Sequence, residues 1–183
     1  MPNWCSNNLT IEHEDRAKVM EFVHAYKEGK ACDHYLPVPR DGSGELITDD
    51  KHPDYWYNWC VNNWGTKWDI GSDNNEAHGL NPTIVGNQAS MTFDSAWAPP
   101  IGLYERLVEL GFKVEATYWE PGMAYCGLWQ DGEDHFVEYT HQDMIPKRLW
   151  DEYNMGEFFE EEIEEARRDE KRGLYPQYEN PSN

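Results

Sequence analysis

Basic residues are scarce in this chain. Its 183 residues include 15 lysines and arginines against 35 aspartates and glutamates, a formal net charge of −20 at pH 7. Residues 151–183 carry a net charge of −7, which leaves −13 for the first 150 residues, so the acidity is spread along the chain. A field of this sign repels phosphate backbones, which argues against direct binding of nucleic acid, and it attracts a basic protein surface. An acidic surface also serves solubility alone.

Paired cysteines and long apolar runs are missing as well. The cysteines, Cys5, Cys32, Cys60 and Cys126, form no C-x-x-C pair, which fits neither a zinc ribbon nor a dense disulfide framework. No apolar run is long enough to span a membrane, and the first residues have neither the basic region nor the apolar core of a signal peptide. We therefore expect a cytoplasmic protein with buried, reduced thiols and no membrane contact.

Motifs of catalysis are also absent. The chain has no nucleophile elbow, no Gly-rich phosphate loop and no zinc-protease helix motif. Cys32 with His34, and His52 with Asp54, place two donor atoms at short spacing, but a metal site needs three or four convergent ligands. Neither a metal nor a cofactor is expected, and no catalytic residue is indicated.

Aromatic residues are abundant by contrast. They make up 14% of the chain, which favours a folded globule because their rings supply large buried areas. Alternation of apolar and polar residues predicts strands over residues 5–11, 87–94 and 112–119, and the start of another at 67–70. Helical spacing predicts helices over residues 14–26, 55–64, 99–110 and, with a break at Gly156, 146–172. A hairpin is predicted to join residues 123–129 to residues 135–140.

The order of these elements is β-α-β-β-α-β, followed by the hairpin and the terminal helix. This is the ferredoxin-like, or split βαβ, pattern. We therefore predict an α+β fold with an antiparallel ferredoxin-like sheet, two helices on one face, an added hairpin and a C-terminal acidic helix. The predicted domains are residues 1–142, the ferredoxin-like domain, and residues 143–183, an acidic helical extension with a short tail.

Three blocks of sequence, residues 62–69, 93–100 and 118–122, place tryptophan beside Gly or Pro and beside a charged residue. Aromatic platforms with a few polar groups suit planar or peptide ligands, so these blocks predict a groove that binds a ligand or a partner. The alternative is that the rings lock the loops together, with Lys67 paired to Asp69 or Glu120. The candidate residues are Trp4, Trp64, Lys67, Trp68, Asp69, Trp97, Trp119 and Glu120.

Four separated motifs carry a family resemblance. They are Met-Pro-Asn-Trp-Cys-Ser-Asn at residues 1–7, Trp-Gly-Thr-Lys-Trp-Asp at 64–69, and residues 93–100 and 118–127. In this order, over most of residues 1–130, the chain resembles the YubB-like family of ferredoxin-like domains from phages, plasmids and bacterial genomic islands. The resemblance implies a ferredoxin-like sheet and a mobile-element origin. It implies no activity, because the family is essentially uncharacterised.

Glutamates cluster in the predicted terminal helix. One interpretation is a solvated helix with internal ion pairs, such as Glu164 with Arg168. The other is that a basic partner relieves the repulsion between the carboxylates, so that the helix mimics phosphate charge. The glutamates concerned are Glu157, Glu160, Glu161, Glu162, Glu164 and Glu165.

Together these features predict a non-enzymatic, acidic interaction protein encoded by a phage or another mobile element. It is expected to bind and inhibit a host protein with a basic surface in the bacterial cytoplasm, such as a defence or nucleic-acid-handling factor, by mimicry of nucleic-acid charge. The alternative is a protein that binds or processes a small ligand or nucleotide in the tryptophan-lined region around Lys67. A third interpretation is an accessory domain that acts through its oligomer, although the sequence does not indicate a stoichiometry.

Overall fold

A computed structural model describes residues 3–72 and 79–171 of the chain. The strands are β1 (Trp4–Glu12), β2 (Thr83–Val85), β3 (Gln88–Ala96), β4 (Lys113–Glu120), β5 (Tyr125–Gln130) and β6 (Glu133–Glu138). The helices are α1 (Arg16–Lys27), α2 (Ala31–Tyr35), α3 (Trp56–Asn63), α4 (Ile101–Glu109), α5 (Lys147–Glu152) and α6 (Met155–Lys171), with one 3₁₀ turn at Gln142–Met144.

The six strands form one antiparallel sheet in the order β2-β3-β1-β4-β5-β6. The first four strands have the ferredoxin-like arrangement, in which β1 lies between β3 and β4 and pairs antiparallel with both. The hairpin of β5 and β6 extends the sheet beyond β4. The predicted α+β class, ferredoxin-like sheet and added hairpin are therefore confirmed.

Alternation along the central strands decides which face the helices cover. Leu9 of β1 pairs with Met91 on one side and with Ala116 on the other, and all three side chains are buried. Phe22 of α1 and Leu107 of α4 belong to the same apolar core. Helices α1 and α4 thus pack on one face of the sheet, as period-two alternation predicts for a sheet with one covered side.

A two-residue turn joins β5 to β6. Asp131 and Gly132 have φ angles of 55° and 82°, the pair of left-handed residues that a tight hairpin needs to match the twist of its strands. Five of the six residues of β6 are exposed. The last strand therefore lies beyond the part of the sheet that the helices cover.

Two predicted elements differ in the structure. Residues 67–70 form no strand, because Asp69 instead accepts hydrogen bonds from the backbone N–H groups of Cys32 and Asp33 at the start of α2. The second strand of the fold is the short β2. The break in the terminal helix lies at residues 153–154 rather than at Gly156, since Asn154 adopts a left-handed conformation with a φ of 48°.

The chain divides into two compact units, Met1–Met144 and Ile145–Asn183. The first contains the whole sheet and α1 to α4. In the second, α5 and α6 contact each other, and the rings of Trp150 and Phe159 stack with centroids 5.4 Å apart. The boundary after residue 142 stays a prediction, and the predicted tail lies outside the described residues. No helix in the described part of the chain has the length and apolarity needed to cross a membrane.

Gly102 marks a close approach between α3 and α4. A Cβ atom at this position would lie 1.9 Å from the carbonyl oxygen of Asn63, and the Gly102 N–H donates to the carbonyl of Trp64 at 3.1 Å. We expect Gly102→Ala to lower the free energy of unfolding by about 2 kcal/mol, because two backbone segments must separate. Urea denaturation measures the loss.

Gly42→Ala is the matched control, since no atom lies within 4 Å of its added Cβ. We expect it to change the free energy of unfolding by less than about 0.5 kcal/mol. Equal losses in the two variants would contradict the importance of the contact between the helices.

Candidate functional site

The antiparallel register brings two of the three tryptophan blocks, residues 93–100 and 118–122, to one end of the sheet. Trp4 at the start of β1 pairs with Ala96 at the end of β3, and Ser6 pairs with Trp119 near the end of β4. Glu120 pairs with Tyr125 at the start of β5, which in turn pairs with the last residue of β6. Side chains that are far apart in sequence therefore meet at this end.

Gly65 connects the first block to the second. It follows the end of α3 with a φ of 91°, and a Cβ atom there would lie 2.8 Å from the carbonyl oxygen of Pro99. Only glycine combines this conformation with such a close backbone approach. The turn places Lys67 beside the ring of Trp97.

The ammonium group of Lys67 lies over three aromatic rings. Its Nζ atom is 4.6 Å from the ring centroid of Trp68, 5.3 Å from that of Trp97 and 5.5 Å from that of Tyr57. Trp4 extends this lysine cluster, with its ring centroid 5.8 Å from that of Trp68. Such cation–π contacts are worth about 0.5–1 kcal/mol each where they are exposed. Trp4, Lys67, Trp68 and Trp97 are the predicted site residues that the structure brings together.

Two of the predicted tryptophans are interior instead. Trp64 is buried, and its indole N–H donates to the carbonyl of Leu36 at 2.8 Å. Trp119 is also buried, and its indole N–H donates to the hydroxyl of Tyr139 at 2.9 Å. A groove lined by these two rings, as the sequence predicts, is therefore not what the structure forms, because each indole is already packed and hydrogen-bonded.

The two predicted carboxylates hold backbone turns. Asp69 accepts the N–H groups at the start of α2 at 2.7 and 2.8 Å, and Glu120 is buried and accepts the N–H groups of Gly122 and Met123 in the turn after β4. The expected ion pair of Lys67 with Asp69 or Glu120 is thus replaced by its contacts with aromatic rings. Neither carboxylate is placed to orient a ligand at the lysine cluster.

Trp97 also lines a pocket with a volume of about 750 Å³, which we call the hairpin pocket. The exposed fractions of Met123 and Phe136 are 66% and 53%, so two large apolar side chains of its wall face solvent. The ring centroids of Tyr125 and Phe136 are 5.3 Å apart. The pocket is lined in part by Trp97, Tyr118, Met123, Tyr125, Asp134, Phe136 and Glu138.

Trp97 belongs to both the hairpin pocket and the lysine cluster, and its backbone has a rare conformation. Its φ is 72°, a genuine outlier for a bulky residue. The backbone N–H of Trp97 donates to the carbonyl of Asn3 at 2.9 Å, and its carbonyl accepts the hydroxyl of Tyr125. Strained residues held in this way by their surroundings are concentrated at binding and catalytic sites, so Trp97 marks this region as a functional candidate.

Two carboxylates lie in the wall of the hairpin pocket. The hydroxyl of Tyr118 donates to Oδ1 of Asp134 at 2.7 Å, and Glu138 lies four residues further along β6 on the same face. Within the described ranges, no lysine or arginine forms an ion pair with either one. The pocket therefore combines an apolar, aromatic interior with uncompensated negative charge.

Sequence reasoning did not identify this pocket. The missed residues are Tyr57 of the lysine cluster and Tyr118, Met123, Tyr125, Asp134, Phe136 and Glu138 of the pocket. A signal was present in the alternation Asp-x-Phe-x-Glu over residues 134–138, which overlaps the second strand of the predicted hairpin. An exposed aromatic residue between two acids on one face of an edge strand is typical of a recognition surface.

The acidic helix is α6. Glu157, Glu160, Glu161 and Glu164 are exposed, and Arg168 lies 3.0 Å from Glu164, which is the predicted pair. Glu162 and Glu165 lie in the same helix, but their side chains are outside what the structure describes. The exposed glutamates add negative charge without defining a ligand.

The described residues contain no cluster of three or more His, Cys, Asp or Glu side chains that could hold a metal ion. Burial raises the pKa of Cys5 and Cys60 to about 12 and that of Cys126 to about 11. Burial also raises the pKa of Cys32. Nucleophilic chemistry needs a thiolate, so none of these thiols is prepared for it at neutral pH.

We expect the four thiols to react slowly with an aromatic disulfide reagent at pH 7.5. Raised pKa values reduce the thiolate fraction of the native protein about 100-fold or more, and burial restricts access further. Absorbance of the released thiol measures the rate, with urea-unfolded protein as the control. A fast-reacting cysteine in the native protein would contradict this assignment.

Asp69 predicts a pH-dependent stability. Burial raises its pKa from 3.8 to about 6, although three backbone N–H groups act in the opposite direction. The folded protein therefore binds this proton more tightly than the unfolded chain does, so the stability that Asp69 contributes is fully present below its unfolded pKa and is lost as the pH rises through about 6. The difference corresponds to about 3 kcal/mol.

Asp69→Asn removes this titration. We expect the free energy of unfolding of the variant, relative to that of the wild type, to rise by up to about 3 kcal/mol between pH 4 and pH 7. Urea denaturation at the two pH values measures the change. A difference between the two proteins that stays constant with pH would show that the Asp69 carboxyl group titrates alike in the folded and unfolded chains.

Comparisons with known proteins place few constraints on this site. No protein-family model matches the chain, and no curated protein matches it. The chain is similar to protein api92 from Yersinia pseudotuberculosis, whose crystal structure is described under the family name DUF1281. The identity is 11% and the TM-score 0.42, over 77% of this chain and 99% of api92. That description states no activity, and none of the comparisons shows membership of the YubB-like family.

Proposed function

We propose that this chain is a non-enzymatic, acidic interaction protein that binds a basic surface of another protein and inhibits it. The observation that carries the proposal is the hairpin pocket, in which exposed Met123 and Phe136 lie beside Asp134 and Glu138. Protein interfaces combine an apolar centre, often aromatic, with a polar rim, and the pocket has both parts.

The charge of the chain supports a basic partner. The net charge of the chain is −20. The first 150 residues, which include the hairpin pocket, carry −13 of it. Opposite charge accelerates encounter and disfavours acidic partners, and its effect weakens as salt screens it. Exposed Glu157, Glu160 and Glu161 of α6 add to the negative charge of the chain.

The basic partner is proposed to be a host protein. An acidic surface that competes with nucleic acid suits a host defence factor or a nucleic-acid-handling protein, because such proteins have basic grooves. The resemblance to the YubB-like family supports a phage or plasmid origin and therefore a site of action in the bacterial cytoplasm. The chain would act there by occupying the partner's basic surface.

A protein that binds a small ligand is the second candidate. The volume of the hairpin pocket, about 750 Å³, falls within the range of about 300–1,000 Å³ that is typical of ligand sites. The carboxylates of the pocket oppose a phosphate group, and Lys67 already contacts three rings, so a nucleotide fits less well than a neutral or cationic ligand. Thermal-shift screening tests this candidate: a rise in Tm caused by a neutral or cationic ligand and abolished by Phe136→Ala would favour it.

We expect the tagged full-length chain to retain a basic protein from bacterial lysate at low salt and to lose it at about 0.5 M salt, because screening weakens the charge attraction. Mass spectrometry identifies the partner, and its own activity is then assayed with and without the chain. We expect Met123→Ala/Phe136→Ala to weaken the binding at least about ten-fold. Retention of no basic protein, or of one whose activity is unaffected, would contradict the proposal.

Leu80→Ala/Val85→Ala is the matched control for that variant. These side chains have exposed fractions of 63% and 70% and lie outside the hairpin pocket. The control therefore removes similar exposed apolar area, and we expect it to keep the affinity within about two-fold. Equal losses of affinity in both variants would indicate nonspecific hydrophobic binding.

A further inference from the structure

Strand β6 is the last strand of the sheet, and one of its edges has no partner strand within the described residues. The two-residue turn makes Gln130 and Glu133 the first hydrogen-bonded pair of the hairpin. At the other end, the N–H of Tyr139 donates to the carbonyl of Ala124 at 2.9 Å. Hydrogen-bonded and non-bonded pairs alternate in an antiparallel ladder, so the residues of β6 divide into two sets.

The odd-numbered residues of β6 direct their backbone groups toward β5. The even-numbered residues, Asp134, Phe136 and Glu138, direct their N–H and C=O groups away from β5, to the free edge. The side chains of the same three residues line the hairpin pocket. Backbone groups for strand pairing and side chains for recognition are therefore supplied by one set of residues.

The charge of this edge decides between occupants. Glu133, Asp134 and Glu138 are exposed on β6, and all are acidic. A second copy of this chain would place the same acids against them, and like charges directly opposite each other destabilise strand pairing. A basic segment instead places opposite charges at these positions, which favours it over an acidic or neutral one.

We propose that β6 pairs with an extended basic segment of the partner whose sequence pattern is basic–x–apolar–x–basic. The inference rests on the proposed function and specifies how the chain recognises the partner. In such an added strand, the residues opposite Asp134, Phe136 and Glu138 share one face and lie about 4.5–5.5 Å from them, Cβ to Cβ. Basic side chains face the two carboxylates, and the central apolar side chain enters the pocket beside Phe136 and Tyr125. The pairing is antiparallel, so the N–H groups of these three partner residues face the free edge of β6 and bond to it.

Aromatic rings favour arginine at the basic positions. A guanidinium group pairs with a carboxylate through two hydrogen bonds and stacks on a ring, whereas an ammonium group does neither as well. Asp134 already accepts the Tyr118 hydroxyl through Oδ1, which leaves Oδ2 for a partner, and the Tyr118 and Tyr125 ring centroids lie 6.1 Å apart in the same wall.

The test uses the full-length chain and a fluorescent peptide, Thr-Arg-Thr-Leu-Thr-Arg-Thr, whose binding is measured by fluorescence anisotropy. Three control peptides isolate the causes of binding: one with both arginines replaced by glutamate, one of the same composition with the arginines adjacent, and one methylated on the backbone nitrogens of leucine and both arginines. We expect each control peptide to bind at least about ten-fold more weakly, because it lacks the charge, the spacing or the strand hydrogen bonds.

Two protein variants place the peptide on β6. Asp134→Asn/Glu138→Gln keeps the shape of both side chains and is expected to weaken binding at least about ten-fold. Glu45→Gln/Glu105→Gln removes the same charge from exposed positions outside the pocket and is expected to change the affinity less than about two-fold. Circular dichroism confirms that both variants are folded.

Equal weakening by the two protein variants would overturn the proposal, since it would indicate general charge attraction. Equal binding of the methylated peptide would overturn strand pairing, and equal binding of the rearranged peptide would overturn the sequence pattern. A chain that retains a basic protein from lysate but does not bind the patterned peptide would leave the proposed function standing and reject this inference. If the chain retains no basic protein from lysate, the proposed function itself is rejected.

Discussion

The pairing of β1 with both β3 and β4 is the constraint on which the rest of this structure depends. It sets the register that buries Leu9 between Met91 and Ala116, and it also brings Trp4, Ala96 and Trp119 to one end of the sheet. A slip of one residue in either pairing would exchange the two faces of the sheet. The same slip would separate the tryptophan blocks, so the core and the candidate site depend on a single register.

The aromatic residues at this end have divided roles that their sequence context does not distinguish. Trp64 and Trp119 stabilise the interior through packing and indole hydrogen bonds, whereas Trp68 and Trp97 keep about a third of their surface in solvent. Lys67 makes cation–π contacts with both exposed rings. The residues that line the hairpin pocket include no lysine or arginine, so the pocket is the stronger candidate for a partner's positive charge.

The fold was predictable because it depends on local signals, and the site was less so because it depends on three-dimensional placement. Alternation along β1, β3 and β4 and the glycines after the helices were sufficient for the ferredoxin-like sheet. The strand expected at residues 67–70 failed because Asp69 contacts α2, a contact between segments 36 residues apart that no local pattern reveals. Asp134 and Glu138 were overlooked because an acid on an edge strand resembles any solvated residue until its neighbours across the pocket are known.

The division of β6 into two sets of residues has a consequence for how this surface can diversify. The odd-numbered residues attach the strand to the sheet, and the even-numbered residues, Asp134, Phe136 and Glu138, are exposed and outside the apolar core. Substitutions in the second set can therefore alter recognition while leaving the framework that holds the strand intact. Single substitutions at these positions can therefore change the binding specificity of the strand stepwise, while each variant keeps the fold.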